Sequence, residues 1–236
     1  MSIKIENVVL PSPAQMEAVI RGMRNPLNSW HLSDSYITHI ENPETLNTAD
    51  FQFVLGEKDE TLMRKLAKAG SVHGKFMRMI IVYLDITAPF YFWKEFDTYK
   101  VGTVANSCST MHKITSKELT LNEISCEHLM DEPIYFTKGM DSNEDRVIPR
   151  NLMSDIIEAL NTCRKAYLET KDKKYWWQMI QLLPSSYNQR RTYMLNYEVL
   201  RGIYIYRNDH KLDEWIDFCK WIKTLPYSYL ITGEEN

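Results

Sequence analysis

The chain has 236 residues, 44% hydrophobic and 25% charged, the composition of a globular protein with a real core, which excludes a disordered or collagen-like chain. Its 28 Lys and Arg against 31 Asp and Glu give a formal charge of −3, so no global field draws it to nucleic acid or an acidic membrane; any anion must be held locally. The longest apolar run, Met79 to Leu84, is far short of the roughly 20 residues of a membrane span, and Met1 to Leu10 lacks a signal peptide's pattern, so a cytoplasmic location is expected.

Ser12, Pro13 and Gln15 form a helix start, with Met16, Val19, Ile20 and Met23 on one face, predicting a helix over Pro13 to Arg24. Asn25 to Glu57 reads as loops with a strand at Asp50 to Leu55. A second helix follows from about Glu60, with Leu62, Met63, Leu66 and Ala67 inward and Gly70 as terminator. Phe76 to Ile86 is nearly all apolar and predicts a strand buried on both faces. Thr87 as cap and Pro89 in the first turn predict a helix over Phe90 to about Tyr99, with Phe92, Trp93 and Phe96 inward, ending near Gly102.

From about 101 to 149 the chain is polar, with apolar patches at Leu119 to Leu121 and Ile134 to Phe136, which suggests an irregular excursion with one or two short strands. The last third reads as helical. Leu152, Ile156, Ile157, Leu160, Cys163 and Tyr167 make one stripe, and Tyr175, Met179 and Leu182 another, stopped by Pro184. Tyr187 to Arg207 continues with Met194, Leu195, Val199 and Ile203, and a final helix spans about Lys211 to Lys223 before Pro226. With no linker and no internal repeat, residues 1–236 read as one α+β domain.

Four cysteines without a CxxC pair and six histidines without HExxH or HxH spacing predict reduced thiols and no metal site. No GxSxG elbow, GxGxxG turn or Walker loop is present, so neither a familiar hydrolase nor a Rossmann cofactor site is supported. The densest polar cluster runs from Asp97 to Lys113. Its small residues, hydroxyls, Asn106, Lys100, Lys113 and His112 offer N–H groups and cations to a phosphate; the alternative is a solvated loop rich in turn formers. A second cluster spans Leu183 to Tyr193 with Asn196, Arg207, His210 and Lys211. On a helix, Tyr193, Asn196 and Tyr197 would share a face and present a polar, aromatic wall to a planar ligand, although tyrosines at that spacing also suit a core or an interface.

In this order of features the chain resembles the flavin-dependent thymidylate synthases, the thymidylate-synthase-complementing superfamily. The stretch from Arg78 through the strand and the Phe90 helix to Thr98-Tyr99-Lys100 is similar to that family's run from a Glu-His pair to its Arg-His-Arg motif, and Thr103, Asn106 and Ser109 to the polar residues beyond it. Leu183-Pro184, Tyr187, Thr192, Asn196, Arg207, His210 and Glu214 are similar to the family's later series, so the likeness covers roughly Gly70 to Trp221 outside the excursion. The strings Asp-Ile-Thr-Ala-Pro and Glu-Phe-Asp-Thr-Tyr-Lys also resemble bacteriophage and prophage proteins, suggesting a divergent phage-type member.

The resemblance implies helices packed on a small mixed sheet, a homotetramer with pockets between subunits, a nucleotide or other small phosphorylated ligand, and FAD as candidate cofactor. Residues nominated to contact nucleotide or cofactor are Arg78, Lys94, Tyr99, Lys100, Asn106, Ser109, His112, Gln189, Arg190, Asn196 and Arg207. The departures matter: of the Arg-His-Arg position only Lys100 keeps a positive charge, and Glu198 and Ile216 stand where the resemblance places substrate-holding arginines. The expectation is a flavin-dependent nucleotide methyl- or hydroxymethyltransferase for which conventional dUMP methylation is unsupported. The alternatives are a non-catalytic nucleotide-binding or sequestering phage protein, and a purely structural oligomer.

Overall fold

The computed structural model describes residues 3–40, 50–137 and 144–234, so parts of the predicted loop at Asn25 to Glu57 and of the excursion lie outside the described residues. The architecture is α+β. Eight strands and eight helices alternate along the described chain: β1 (Lys4–Val9), α1 (Pro13–Arg24), β2 (Tyr36–Ile40), β3 (Asp50–Val54), α2 (Glu57–Lys68), β4 (Ile81–Pro89), α3 (Phe90–Phe96) and β5 (Val104–Ser107) come first. Then follow β6 (Ile134–Thr137), β7 (Glu144–Val147), α4 (Pro149–Thr170), α5 (Lys173–Leu182), β8 (Asn188–Asn196), α6 (Tyr197–Arg207), α7 (Asp213–Lys223) and α8 (Tyr229–Thr232). A four-stranded sheet has the order β1-β4-β8-β5, and two hairpins, β2-β3 and β6-β7, are antiparallel.

The described residues form two compact units: 3–4, 87–96 and 107–191 in one, and 5–86, 97–106 and 192–234 in the other. The chain passes between them within β1, β4, β5 and β8 and at the end of α3.

In the first unit α4 and α5 form a hairpin, turned by Lys171 in the left-handed region (φ 58°), with Asp172 capping α5 by accepting from Lys174 N–H at 2.9 Å. Its core gathers Ile114, Leu119, Ile124, Ile157, Leu160 and Met179. The Asn161 side chain holds the excursion to α4, accepting from Leu119 N–H and donating to Leu119 O, both at 2.9 Å. The predicted patch at Ile134 to Phe136 is β6, and the described part of the excursion carries three short strands.

In the second unit α1 buries Met16, Val19, Ile20 and Met23, the predicted face, and α2 ends beside Gly70 at φ 95°. Between the two helices lies an ion pair with side chains 4% and 0% exposed: Arg24 Nε donates to Asp59 Oδ1 at 2.5 Å, while Asp59 Oδ2 accepts from the Ser33 and Ser35 hydroxyls, each at 2.7 Å. A carboxylate so buried needs this many donors to repay its desolvation.

Three predicted elements are corrected. Lys75–Met79 is a 3-10 turn, and β4 begins at Ile81, burying one face only: Val82, Leu84, Ile86 and Ala88 face inward, while Tyr83 is 47% exposed. The backbone stays extended through Thr87 and Pro89, so α3 is short. Its first N–H groups, Phe90 and Tyr91, donate to the Tyr187 and Ser185 carbonyls at 3.1 Å, which replaces the predicted threonine cap.

The third correction concerns Tyr187 to Arg207, of which only Tyr197 onward is helical. Tyr193 and Leu195 alternate into the core of an inner strand, and that pairing outweighs the local helical pattern. Asn196 turns the chain into α6, capping it by accepting from Val199 N–H at 3.0 Å. No described helix is long and apolar enough to cross a membrane.

Candidate functional site

In the second unit the chain leaving α3 lines a cleft of about 280 Å³ with Asp97, Tyr99, Lys100, Thr103 and Ala105, and Tyr193 of β8 completes its wall. Each wall residue has a local cause. The Thr103 hydroxyl donates to Tyr99 O at 2.6 Å and closes the turn. Gly102 adopts φ 79°, where only glycine sits without strain, and its carbonyl accepts from Asn196 Nδ2 at 3.3 Å, tying the turn to the start of α6. Tyr193, 3% exposed, donates its hydroxyl proton to Asp97 Oδ1 at 3.1 Å. Lys100 lines the cleft with an exposed side chain. The cleft therefore offers one cation, one carboxylate and hydroxyl groups, a set suited to holding a polar ligand by charge and hydrogen bonds.

Tyr99 and Arg207 are engaged with each other: Arg207 Nε donates to the Tyr99 hydroxyl at 3.0 Å, its guanidinium stacks 4.8 Å from the Trp215 ring, and Tyr99 meets that ring edge-on at 5.9 Å. His210 Nδ1 accepts from Leu212 N–H at 3.1 Å, holding the α6–α7 connection. Arg207 and Asn196 thus act as braces of this region, and the shared helix face expected of Tyr193 and Asn196 does not exist, since residues three apart on a strand point to opposite sides. Arg78 and Asn106 are exposed and outside the cleft lining.

The remaining nominated residues fall in the first unit. Gln189 Nε2 donates to Cys108 O at 2.9 Å and Thr110 Oγ1 at 3.2 Å, its Oε1 accepts from Arg191 Nε at 2.9 Å, and Arg190 O accepts from Cys108 N–H at 2.9 Å. Ser109 Oγ accepts from His112 N–H at 3.4 Å within the same turn. The Arg191 guanidinium lies 4.3 Å above Trp93, whose indole N–H donates to Gln189 O at 3.0 Å. Gln189 is a fastener of the 108–112 turn, and Lys94 is exposed on α3.

Asp97 and Tyr193 are not among the nominated contacts, although both lie in the two polar clusters and Tyr193 is expected in a ligand-facing wall on a helix. An alternation with Tyr193 and Leu195 inward, following the turn formers Pro184-Ser185-Ser186, was the signal for a strand that carries Tyr193 to Asp97. In the first turn of α6, Glu198 Oε2 is buried, with no hydrogen-bond partner among the described residues. Among the described residues no three His, Cys, Asp or Glu side chains are grouped to hold a metal ion.

A small sheet, a short helix with a polar turn beyond it, and an inner strand running into paired helices make up a fold similar to that of solved flavin-dependent thymidylate synthases. The chain is similar to a thymidylate synthase X from Helicobacter pylori solved with FAD and dUMP, at a TM-score of 0.61 and 16% identity, covering 99% of this chain and 97% of that one. A second structure of the flavin-dependent thymidylate synthase ThyX from Helicobacter pylori, also complexed with FAD and dUMP, matches at 0.59 and 16%, covering 99% and 98%. No family model and no curated protein sequence matches the chain.

Proposed function

We propose that this chain is a divergent thymidylate-synthase-like protein that binds a (deoxy)nucleotide in the 97–105 cleft, assembles as a homotetramer, and does not carry out conventional dUMP methylation. The observation that carries the reading is the near-complete overlap with structures holding FAD and dUMP, combined with Lys100 lining a polar cleft just beyond the central helix. Large exposed side chains such as Val101, Val104 and Tyr206 support an oligomer.

FAD is the candidate cofactor by fold, and when bound a reduced flavin supplies a hydride. The residues of one chain do not fit it. A cleft of about 280 Å³ does not enclose a dinucleotide, and its pyrophosphate would meet one cation beside a carboxylate, with the Arg207 fork directed to Tyr99. No chemical step is therefore assigned to flavin. The chain's own groups bind and orient: Lys100 meets the phosphate, Tyr193 and Asp97 form a hydrogen-bonded wall, and Thr103 fixes the turn.

The same observations favour the non-catalytic alternative, because Thr98 and Tyr99 bring no charge and Glu198 sets a carboxylate where the resemblance places an arginine. Three measurements test the reading together. A purified protein that is colourless in the visible range, binds a deoxynucleotide and leaves a thymidine-requiring bacterial strain dependent on thymidine meets the proposal. Growth of that strain without thymidine on expression of the protein overturns it.

A further inference from the structure

The last turns of α2, the C-terminal half of α6 and the α8 turn enclose another cavity of about 280 Å³, entirely within the second unit. Three of its lining side chains are cationic: Arg64, Lys68 and Arg201. Arg64 is held in place, its Nη2 at 2.7 Å from Glu60 Oε1 and its guanidinium 3.5 Å over the Tyr229 ring. Arg201 spends one Nη1 hydrogen on Ala67 O at 2.7 Å, and neither it nor Lys68 has an acidic partner among the described residues. Glu234, the carboxylate in the lining, is matched already, its Oε1 accepting from Lys223 Nζ and the Tyr204 hydroxyl, each at 2.8 Å. The Tyr229 hydroxyl is buried and faces the Glu60 carboxylate, with no hydrogen bond of ordinary length to another described residue.

Capping of the α2 C-terminus explains the single bond from Arg201 to Ala67 O. It leaves the rest of that guanidinium fork and Lys68 unexplained, both on one cavity whose other walls include Ile205 and Leu230. We propose that this cavity binds a small amphipathic anion, a phosphate or carboxylate on an apolar body, with Arg201 and Lys68 holding the anionic group. A guanidinium fork matches the two oxygens of such a group, and the apolar wall takes the body. The volume lies near the lower end of the roughly 300–1,000 Å³ of ligand sites, which suits one ring and one anionic group and excludes a dinucleotide.

Calorimetric titration of the full chain with phenyl phosphate, with inorganic phosphate and benzyl alcohol as comparison probes, tests the site. Phenyl phosphate should bind at least tenfold more tightly than either comparison probe. Arg201→Met and Lys68→Met should each weaken it at least tenfold, while Lys68→Met leaves deoxynucleotide binding at the 97–105 cleft as in the parent. Lys68 is exposed, so its variant keeps the test open if Arg201→Met fails to fold. No binding of phenyl phosphate, equal binding of inorganic phosphate, or full affinity in Lys68→Met overturns the proposal.

Discussion

Gly102→Ala is expected to disturb the cleft at its anchor. The residue sits at φ 79°, and a Cβ there would lie 2.8 Å from Asn196 Nδ2 and 3.2 Å from Val199 Cγ2. The left-handed conformation alone costs a residue bearing a Cβ about 1–2 kcal/mol. The contact adds to this, because Asn196 cannot retreat freely: its Oδ1 caps α6 and its Nδ2 holds Gly102 O. Loss of a helix cap is worth about 1 kcal/mol, so the substitution should cost about 2–3 kcal/mol in all. At about 2–4 °C per kcal/mol for a chain of this size, the melting temperature should fall by about 5–10 °C. In an Asn196→Ala background the obstructing amide is gone, and Gly102→Ala should then cost only the backbone share, about 1–2 kcal/mol. Thermal unfolding of the four proteins measures this, and a change below about 0.5 kcal/mol for Gly102→Ala in the parent refutes the anchoring of this turn by Asn196.

Arg24→Ala should cost about 3–5 kcal/mol in thermal unfolding, because it leaves the buried Asp59 carboxylate short of its cationic partner. Burial pushes the Asp59 pKa up, but hydrogen bonds from Ser33, Ser35 and Arg24 outweigh it and hold the group below its ordinary 3.8. Its contribution is therefore present above the unfolded value and lost as pH falls through the lower folded one, an acid sensitivity that Asp59→Asn should remove from melting curves taken between about pH 2 and 5. Arg207→Met should destabilise the second unit by about 1–3 kcal/mol through the lost Tyr99 bond and Trp215 stack, with Arg207→Lys recovering little because an ammonium lacks the planar fork. A stable Arg207→Met that no longer binds nucleotide would instead make Arg207 a ligand residue.

What the sequence revealed follows the range of the forces involved. The α1 start is a local event: Ser12 Oγ accepts from Gln15 N–H at 3.3 Å and Gln15 Oε1 from Ser12 N–H at 2.7 Å, so four consecutive residues announce it. Gly70 and the α4 and α7 stripes are local in the same way. Residues 188–196 are not. Their few apolar residues, Tyr193, Met194 and Leu195, do not decide between a helical and an extended period, and pairing within the sheet does. The site inherits that division: Tyr99 and Lys100 stand out by composition, whereas the Tyr193–Asp97 bond joins residues 96 apart, and the bracing roles of Gln189 and Arg207 rest on partners distant in sequence.

The central claim, a nucleotide site built on the turn after α3, is tested most directly by titrating a panel of deoxynucleoside monophosphates into the parent and into Lys100→Ala. The account predicts that at least one deoxynucleotide binds the parent and that the variant, still folded, binds it about 1–3 kcal/mol more weakly, the loss of one charged hydrogen bond. Equal affinity in the two proteins, or no binding of any deoxynucleotide to the parent, contradicts it.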